Sequence, residues 1–406
     1  MESKVNSNEE NTVTASDLPP NLNELMNKLA KREGLINYEI YSKNLSTNGG
    51  SFMGILYEVN IKGKTANDDK ELNIFIKNIV ENEQMKIYSV SKLFEREAFA
   101  YKELSRIFKE LQDEANIPDG ERFQMAKSYE ECNPKAIILE NLGKRGFKTY
   151  DRMETVSFEY AKVSIQQLAK FHALSMIIEE KQPEYFNENI AIMKQPFIFK
   201  EEWYGFVKNM YKYSINCLEP DVKEKVAAKI LEKVDDYPKY LNDTTGICTI
   251  CHGDYKLNNV MYTIYFCFQN EVLIEVIPID FQILHYGCPI LDFLYFIFNG
   301  TDQEFRRNHL SDLKDLYYDS MAKFLEYFGL DIEKKFSRLE FEKVYKEKFE
   351  FGLIINVFYV PFLFTAEDDA PDVANETLSD LTFNIDKRFT KRFRGVVDDF
   401  MKWGYL

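Results

Sequence analysis

The chain has 406 residues, of which 45% are hydrophobic and 29% are charged, as is usual for a globular protein large enough for two cores. Its formal net charge of −15 argues against binding nucleic acid through bulk electrostatics. The N-terminus shows no apolar signal segment, and the apolar stretch at 353–364 is too short and too interrupted to cross a bilayer. The six cysteines form neither a disulfide framework nor a zinc pattern. We therefore predict a cytoplasmic protein without membrane insertion or a nucleic-acid partner.

The first third of the chain predicts a small sheet with two helices. Residues 1–19 are polar and acidic and are expected to form a disordered tail. A short helix ending at Gly34 precedes three strands separated by turn signals, and an amphipathic helix follows. Two further strands, at about 122–130 and 135–140, complete the sheet. The apolar face of the amphipathic helix comprises Phe94, Ala98, Tyr101, Leu104, Phe108 and Leu111.

From about residue 153 onward the pattern is helical, except for two alternating runs joined at Gln269 and Asn270, which predict a hairpin. The sequence thus predicts an α+β, bilobal architecture. A five-stranded antiparallel sheet lobe would occupy residues 20–141, and a larger, mostly helical lobe residues 142–406.

Two charged residues of the sheet region fit the needs of phosphoryl transfer from ATP. That reaction uses a lysine on the phosphates, a carboxylate to orient it, metal ligands, and a carboxylate that takes the hydroxyl proton. Lys77 lies in an otherwise apolar strand, and Glu97 lies next to the apolar face of the following helix. Each has an ordinary alternative, namely a solvent-facing strand lysine and a solvated helix charge.

The stretch "CHGDYKLNNVMY" supplies the more specific signal. Asp254 and Asn259 are separated by four residues in a loop that leads into a strand, which is the spacing of a kinase catalytic loop. Asp254 would accept the hydroxyl proton and the Asn259 amide oxygen would bind a metal. Asp280 ends the returning hairpin strand, so strand pairing brings it beside Asn259, and two oxygen ligands suit Mg²⁺. The alternative is that these residues only shape a loop, but the joint pattern favours catalysis.

Other polar features carry less weight. Gly49, Gly50 and Ser51 lie in a glycine-rich turn whose backbone N–H groups could cover phosphates, although alone it is an ordinary turn. His172 is interpreted as a core histidine, and Asp292 as a brace for the catalytic loop. The acidic run at 367–372 could hold a cationic substrate but is more often a solvated loop.

Taken together, several segments resemble the ecdysteroid kinase-like family, within the wider aminoglycoside and choline kinase-like set. The resemblance covers about residues 20–400 and implies a protein-kinase-like bilobal fold with ATP in the cleft. The segments are "ILENLGKRGFKTYDR", "LAKFHALS", "CHGDYKLNNVMY", "IDFQILHYGCPILDFLYF" and "LIINVFYVPFLF".

The resemblance also implies site residues. It assigns the catalytic role to Asp254, the metal ligands to Asn259 and Asp280, and the phosphate lysine and its glutamate to Lys77 and Glu97. The adenine would bind backbone around Glu140, Asn141 and Leu142. Asn141 departs in charge from the commoner aspartate, which we expect to matter little at a position that works through its backbone.

The acceptor is predicted to be a small molecule rather than a protein. The triplet His252-Gly253-Asp254 lacks the arginine that receives an activation-loop phosphate, and only 11 residues separate Asp280 from Asp292. Aromatic segments favour a lipophilic alcohol such as an ecdysteroid, another hydroxysteroid, or a xenobiotic alcohol or glucoside, over choline. The alternative is a catalytically silent binder of lipophilic ligands, and a monomer is expected. The aromatic residues are Phe197, Phe199, Trp203, Tyr204, Phe206, Phe358, Tyr359 and Phe362.

Overall fold

The structure, a computed structural model, describes residues 18–45, 54–80, 89–196, 201–267, 270–365 and 383–406. The predicted tail at 1–19 therefore lies outside the described residues except for its end. There Leu18 is buried in the core, directly before the first helix. The predicted tail included Leu18, and the buried position of this residue is not that of a disordered one.

An antiparallel sheet of four strands forms the N-terminal part, in the order β1–β2–β3–β4. Alternating buried and partly exposed positions along β2 and β3 place one apolar face against the helices. The elements are α1 Pro20–Arg32, β1 Asn37–Asn44, β2 Gly54–Lys64, β3 Asp69–Ile79 and β4 Ala136–Glu140.

The predicted fifth strand at 122–130 is wrong. This segment runs beside β4 but makes only an isolated bridge, between Ser128 and Leu139. At the start of the segment, Phe123 donates its backbone N–H to the buried Gln112 side chain at 2.7 Å, so this end is bonded to a helix rather than to β4. A residue pattern typical of a strand cannot reveal that competing side-chain partner.

The amphipathic helix is confirmed, with an irregularity at its centre. Helix α2 (Val90–Phe99) continues through a π-helical turn, Ala100–Leu104, into α3 (Ser105–Glu114). All six residues of the predicted apolar face are buried. Such π turns occur often at functional sites, and this one carries Tyr101, whose hydroxyl accepts a hydrogen bond from the Asp280 backbone.

The remainder of the chain is mainly helical. Helix α9 is buried along its whole length and lies at the centre, while α4 packs against α10. The helices are α4 Phe158–Lys181, α5 Pro183–Asn189, α6 Glu201–Asn216, α7 Pro220–Val234, α8 Tyr237–Asn242, α9 Pro289–Gly300, α10 Gln303–Glu326, α11 Ile332–Lys335, α12 Arg338–Lys348, α13 Phe351–Phe358, α14 Val360–Leu363 and α15 Arg388–Lys402.

Two short antiparallel pairs interrupt these helices. The predicted hairpin is confirmed as β6 (Val260–Cys267) and β7 (Asn270–Pro278), with a register shift after Thr263. The second pair joins β5 (Thr249–Cys251) to β8 (His285–Gly287). The chain is thus α+β, as predicted. The lobe boundary at 141/142 falls just after β4 and stays a prediction. Within the described residues, no helix combines the length and apolarity needed to cross a membrane.

Candidate active site

A lysine and two carboxylates from distant parts of the chain meet beside the sheet. The Nζ atom of Lys77, on β3, lies 2.8 Å from Glu97 Oε2 on α2 and 2.6 Å from Asp280 Oδ1. Lys77 and Glu97 are buried, whereas Asp280 is partly exposed. The structure therefore brings together all three of these predicted residues.

The Lys77 ammonium group is hydrogen-bonded to both carboxylates, Glu97 and Asp280, and it shifts the pKa of each. Burial alone would lower the pKa of Lys77, but the charges of Asp280 and Glu97 outweigh it and raise the pKa above its ordinary value. Burial raises the pKa of Glu97 to about 7. Burial would also raise the pKa of Asp280, but the adjacent Lys77 charge holds it below its usual range. Asp280, with the shorter contact, is the carboxylate that keeps its charge.

Gln282 also belongs to this cluster, although no sequence pattern predicts it. Its Oε1 accepts a hydrogen bond from Lys77 at 3.2 Å, and its Nε2 donates to Asp280 Oδ2 at 3.3 Å. Asp280 itself has a φ of +68°, which is uncommon for a residue other than glycine. Backbone strain of this kind clusters at functional sites, where the surroundings must enforce it.

The Asp254 carboxylate is the centre of a second cluster, in the loop between β5 and β6. Its Oδ2 accepts hydrogen bonds from Lys256 Nζ at 2.6 Å and from Asn259 Nδ2 at 3.0 Å. Its Oδ1 accepts from the hydroxyls of Tyr295, at 2.8 Å, and Tyr359, at 3.1 Å. The carboxylate is buried and is held from four directions.

The sequence pattern predicts none of these four contacts with Asp254, since Asn259 is predicted only as a metal ligand. Lys256 lies two residues after Asp254, within the motif itself, so its position could have been noticed. The charge of Asp254 raises the pKa of Lys256 above its ordinary value, against the effect of burial. Tyr359 had been selected only as a pocket aromatic and Tyr295 not at all, because neither is near Asp254 in sequence.

Asp292, in the first turns of α9, holds the loop that carries Asp254. Its carboxylate accepts hydrogen bonds from the backbone N–H groups of His252, at 2.6 Å, and Gly253, at 2.9 Å. His172 Nε2 donates to the same carboxylate at 3.2 Å. Gly253 has a φ of +79°, and a Cβ there would lie 2.6 Å from the Ile283 carbonyl oxygen, so no other residue fits without a shift. These contacts match the roles predicted for His172 and Asp292.

His172, Asp292 and Cys251 also place possible metal-binding atoms within 4.8 Å of one another. However, His172 uses Nε2 for Asp292, and its Nδ1 lies 2.7 Å from the Tyr317 hydroxyl. Burial raises the pKa of the Cys251 thiol well above its ordinary value, which disfavours the thiolate that binds metals. We therefore interpret this buried triplet as structural.

We predict that Asp292→Asn destabilises the fold. The substitution places an amide N–H₂ against backbone N–H donors, and a buried donor left without an acceptor costs roughly 1–3 kcal/mol. The free energy of unfolding, measured by urea denaturation at pH 7, should fall by about that amount. Asp312→Asn, on the exposed side of α10, is the matched control and should change stability by less than about 0.5 kcal/mol.

The same comparison has a pH dependence of known sign. Burial alone would raise the pKa of Asp292, but the hydrogen bond and charge of His172 hold it below the ordinary 3.8. A lowered folded-state pKa stabilises the protein above the unfolded-state pKa, and this contribution is lost as the pH falls through the folded-state pKa. The stability difference between wild type and Asp292→Asn should therefore shrink below about pH 4. A difference independent of pH would contradict the charged brace.

Asn259 and Asp280, the two predicted metal ligands, are brought to the same edge by the hairpin. Ile279 N donates to the Asn259 carbonyl oxygen at 2.9 Å, so the residues before β6 and after β7 are bonded neighbours. The Asn259 Nδ2 donates hydrogen bonds to Asp254. The amide oxygen Oδ1 is therefore the atom of Asn259 that a cation could bind. An amide oxygen and a charged carboxylate form an oxygen donor set that fits Mg²⁺.

The remaining predicted binding residues divide into two groups. Glu140 ends β4, and Asn141 and Leu142 lead into a short 3₁₀ turn, Leu142–Arg145. The residues Gly49, Gly50 and Ser51, the acidic run at 367–372, and Phe197 and Phe199 lie outside the described residues. The predictions made for them are therefore not tested.

Comparison with known proteins gives one family match. The sequence model of the ecdysteroid kinase-like family matches residues 48–330. No curated protein matches the chain. Among solved structures, the choline kinase LicA from Streptococcus pneumoniae has a TM-score of 0.35 at 14% identity, over 82% of this chain and 95% of that one.

Two further solved structures are similar at the same level. A microcompartment-associated aminopropanol kinase has a TM-score of 0.40 at 10% identity, over 94% of this chain and 99% of that one. A glucosamine kinase in its crystal form B has a TM-score of 0.36 at 11% identity, over 94% and 84%. Scores this low support no conclusion about the acceptor.

Proposed function

Because the chain belongs to the ecdysteroid kinase-like family, we propose that this small-molecule kinase transfers the terminal phosphoryl group of ATP to an alcohol group of a lipophilic molecule. One observation carries the proposal. A buried carboxylate, Asp254, is hydrogen-bonded to Asn259, and Asn259 is bonded through its backbone to the strand end that leads to Asp280 and Lys77. These hydrogen bonds link the residues proposed as base, metal ligands and phosphate lysine, which supports the proposal.

The proposed roles follow from the charge of each side chain and from which groups it contacts. Lys77 would bind the phosphates, with Glu97 holding its ammonium in place, as in other phosphotransferases of this kind. Asn259 and Asp280 would hold Mg²⁺, which when bound neutralises phosphate charge. In the transfer, the acceptor oxygen forms a bond to the γ-phosphorus while the bond from phosphorus to the ADP oxygen breaks. The acceptor proton passes to Asp254.

The connector after β4 offers few backbone groups for adenine. Glu140 N donates to the Lys127 carbonyl oxygen and Asn141 N to the Asn73 carbonyl oxygen, both at 2.9 Å. Leu142 begins a 3₁₀ turn, and the first N–H groups of a helix have no partner within it. We propose that the Leu142 N–H, rather than those of Glu140 or Asn141, is the backbone donor to the adenine ring.

A series of aromatic rings leads away from Asp254 and supports a lipophilic acceptor. The Tyr359 ring lies 5.3 Å from Tyr295 and 6.5 Å from Phe362, measured between centroids. Phe362 in turn contacts Phe383 at 5.6 Å, and Phe383 contacts Phe206 at 5.9 Å. Tyr359 and Phe362 are partly exposed, so the series has an accessible face beside the base. A rigid apolar body that carries hydroxyl groups matches such a wall.

The segment after Asp280 gives no platform for a protein substrate. Its 11 residues comprise a 3₁₀ turn at Phe281–Ile283, strand β8 and the first residues of α9. These elements lie between two site carboxylates, Asp280 and Asp292. We therefore propose that the acceptor is a small molecule and that generic proteins are not phosphorylated.

The acceptor class can be tested by incubating the protein with ATP and Mg²⁺ and a panel of alcohols. We expect ecdysteroids and other polyhydroxylated steroids, or xenobiotic alcohols and glucosides, to gain one phosphoryl group by mass spectrometry. Their kcat/KM should exceed that of choline, ethanolamine and aminoglycosides by at least about tenfold, the effect of roughly 1.4 kcal/mol of apolar contact. A cationic amino-alcohol or aminosugar as the best substrate would contradict the apolar-pocket argument.

A silent binding protein would give a different result in a simpler measurement. Thermal unfolding should shift upward with ATP and Mg²⁺ together, and by much less with ATP alone, if the metal edge is functional. Stabilisation by lipophilic alcohols without any metal-dependent nucleotide effect would instead indicate a binder.

Phosphorylation of generic proteins by the purified protein would contradict the proposed small-molecule specificity.

A further inference from the structure

The Asp254 carboxylate has no room for an acceptor hydroxyl in the structure as it stands. Each of its oxygens already accepts two hydrogen bonds, Oδ2 from Lys256 and Asn259 and Oδ1 from Tyr295 and Tyr359. An ionised carboxylate offers about four lone-pair sites, so this one is saturated. A proton acceptor must meet the substrate hydroxyl directly, and therefore one of the four donors must leave before transfer.

Tyr359 is the donor that can leave most easily. Tyr295 is only 6% exposed and belongs to α9, whose residues are all buried. Tyr359 is partly exposed, makes the longer bond to Oδ1, and lies at the junction of the short helices α13 and α14. Asn259 is needed as a proposed metal ligand, and Lys256 makes the shortest of the four bonds, at 2.6 Å. Rotation of the Tyr359 side chain is therefore the simplest way to free Oδ1.

The Tyr359 hydroxyl also has the hydrogen bonds that an acceptor alcohol would need. It donates to Asp254 Oδ1 at 3.1 Å and accepts from Lys256 Nζ at 3.0 Å. A substrate hydroxyl about to be phosphorylated must likewise give its proton towards the base while its oxygen stays close to a cation that favours developing charge. The phenol thus has the contacts of an acceptor.

We propose that Tyr359 blocks access to the Asp254 carboxylate in the free protein. Its hydroxyl occupies the position of the acceptor hydroxyl, excludes water from that position, and is displaced when the substrate binds. This inference rests on the proposed kinase function. Although the Tyr359 side chain is partly exposed, desolvation of its phenol within the site and the neighbouring Asp254 charge raise its pKa to about 12, so it stays a neutral donor to Asp254 at neutral pH. In a kinase, water that reaches the base would hydrolyse ATP without forming phosphorylated acceptor, and a side chain that excludes water from the base prevents this hydrolysis.

The test is the rate of ATP hydrolysis in the absence of any acceptor. Tyr359→Phe keeps the ring and removes only the oxygen, so a water molecule can take its place between Asp254 and Lys256. We expect acceptor-independent ADP release with Mg²⁺ and ATP to rise at least about tenfold, a small part of the 10²–10⁴-fold that a positioned base can supply. In the double variant Tyr359→Phe/Asp254→Asn, the gain should disappear, because the hydrolysis depends on the same base.

Tyr211→Phe is the matched control. Tyr211 is also a partly buried tyrosine and loses one hydrogen bond, to the Ala227 carbonyl oxygen at 2.9 Å, but it lies on α6, outside the site. Its hydrolysis rate should equal that of wild type. Unchanged hydrolysis in Tyr359→Phe, with normal stabilisation by ATP and Mg²⁺, would overturn the proposed blocking role of Tyr359 and leave the kinase proposal intact. Absence of that stabilisation in wild type would instead overturn the kinase proposal itself.

Discussion

Asp254→Asn is expected to lower the rate of phosphoryl transfer by about 10²–10⁴-fold, the range typical of a positioned general base. The amide retains an oxygen for the tyrosine hydroxyls but cannot accept a proton from the acceptor alcohol. Its N–H₂ group faces the Lys256 and Asn259 donors, so a loss of stability of the kind expected for Asp292→Asn accompanies the change. ATP binding should change little, because the proposed phosphate contact is made by Lys77, which is bonded to Glu97 and Asp280 rather than to Asp254. The measurements are kcat with the best acceptor and the ATP dissociation constant by titration.

The contrast between the two measurements makes this result specific. Asp312→Asn, the exposed control on α10, should leave both unchanged. Near wild-type turnover in Asp254→Asn would show that another group takes the proton. A large loss of ATP affinity with little further loss of turnover at saturating ATP would instead assign Asp254 to the metal.

The sequence predicted those site residues that are close to one another along the chain or lie on regular elements. Asp254 and Asn259 share one loop, and alternation in the two strands that follow predicts the hairpin that returns the chain to Asp280. Lys77 and Glu97 each have an ordinary alternative, a solvent-facing strand lysine and a solvated helix charge, and it is the family resemblance that assigns their roles. Loop spacing, the hairpin and that resemblance therefore name the five positions without coordinates.

The partners of Asp254 could not be predicted in this way. Tyr295 and Tyr359 are 41 and 105 residues away from it, on helices rich in aromatic residues whose other members form the core. Nothing local distinguishes a tyrosine that reaches the base from one that fills space. The missing fifth strand has a similar cause, since the buried Gln112 side chain takes a backbone N–H of the predicted strand. Both depend on tertiary contacts.

Asp280→Ala is expected to abolish most of the Mg²⁺-dependent stabilisation by ATP and to lower turnover by roughly 10²–10³-fold, since a bound metal contributes several kcal/mol of charge stabilisation. The substitution removes the charged member of the proposed metal pair and leaves the Asn259 amide oxygen, which alone is a weak ligand for a hard divalent cation. The measurement is thermal unfolding with ATP, with and without Mg²⁺, alongside kcat.

The fold should tolerate this change, so the effect can be read as a loss of binding. Without Asp280, Lys77 keeps Glu97 at 2.8 Å, and Glu97 no longer competes with a second carboxylate for the ammonium group, so the two can form a balanced ion pair. Alanine is less favourable than aspartate at a φ of +68°, so a small loss of stability is expected, and each variant is compared with itself with and without Mg²⁺. Glu97→Gln is the informative comparison, because it weakens the hold on Lys77 yet leaves both proposed metal ligands, and its nucleotide stabilisation should still depend on Mg²⁺. Equal Mg²⁺ dependence in wild type and Asp280→Ala would mean that the cation binds elsewhere and that Asp280 serves only to position Lys77.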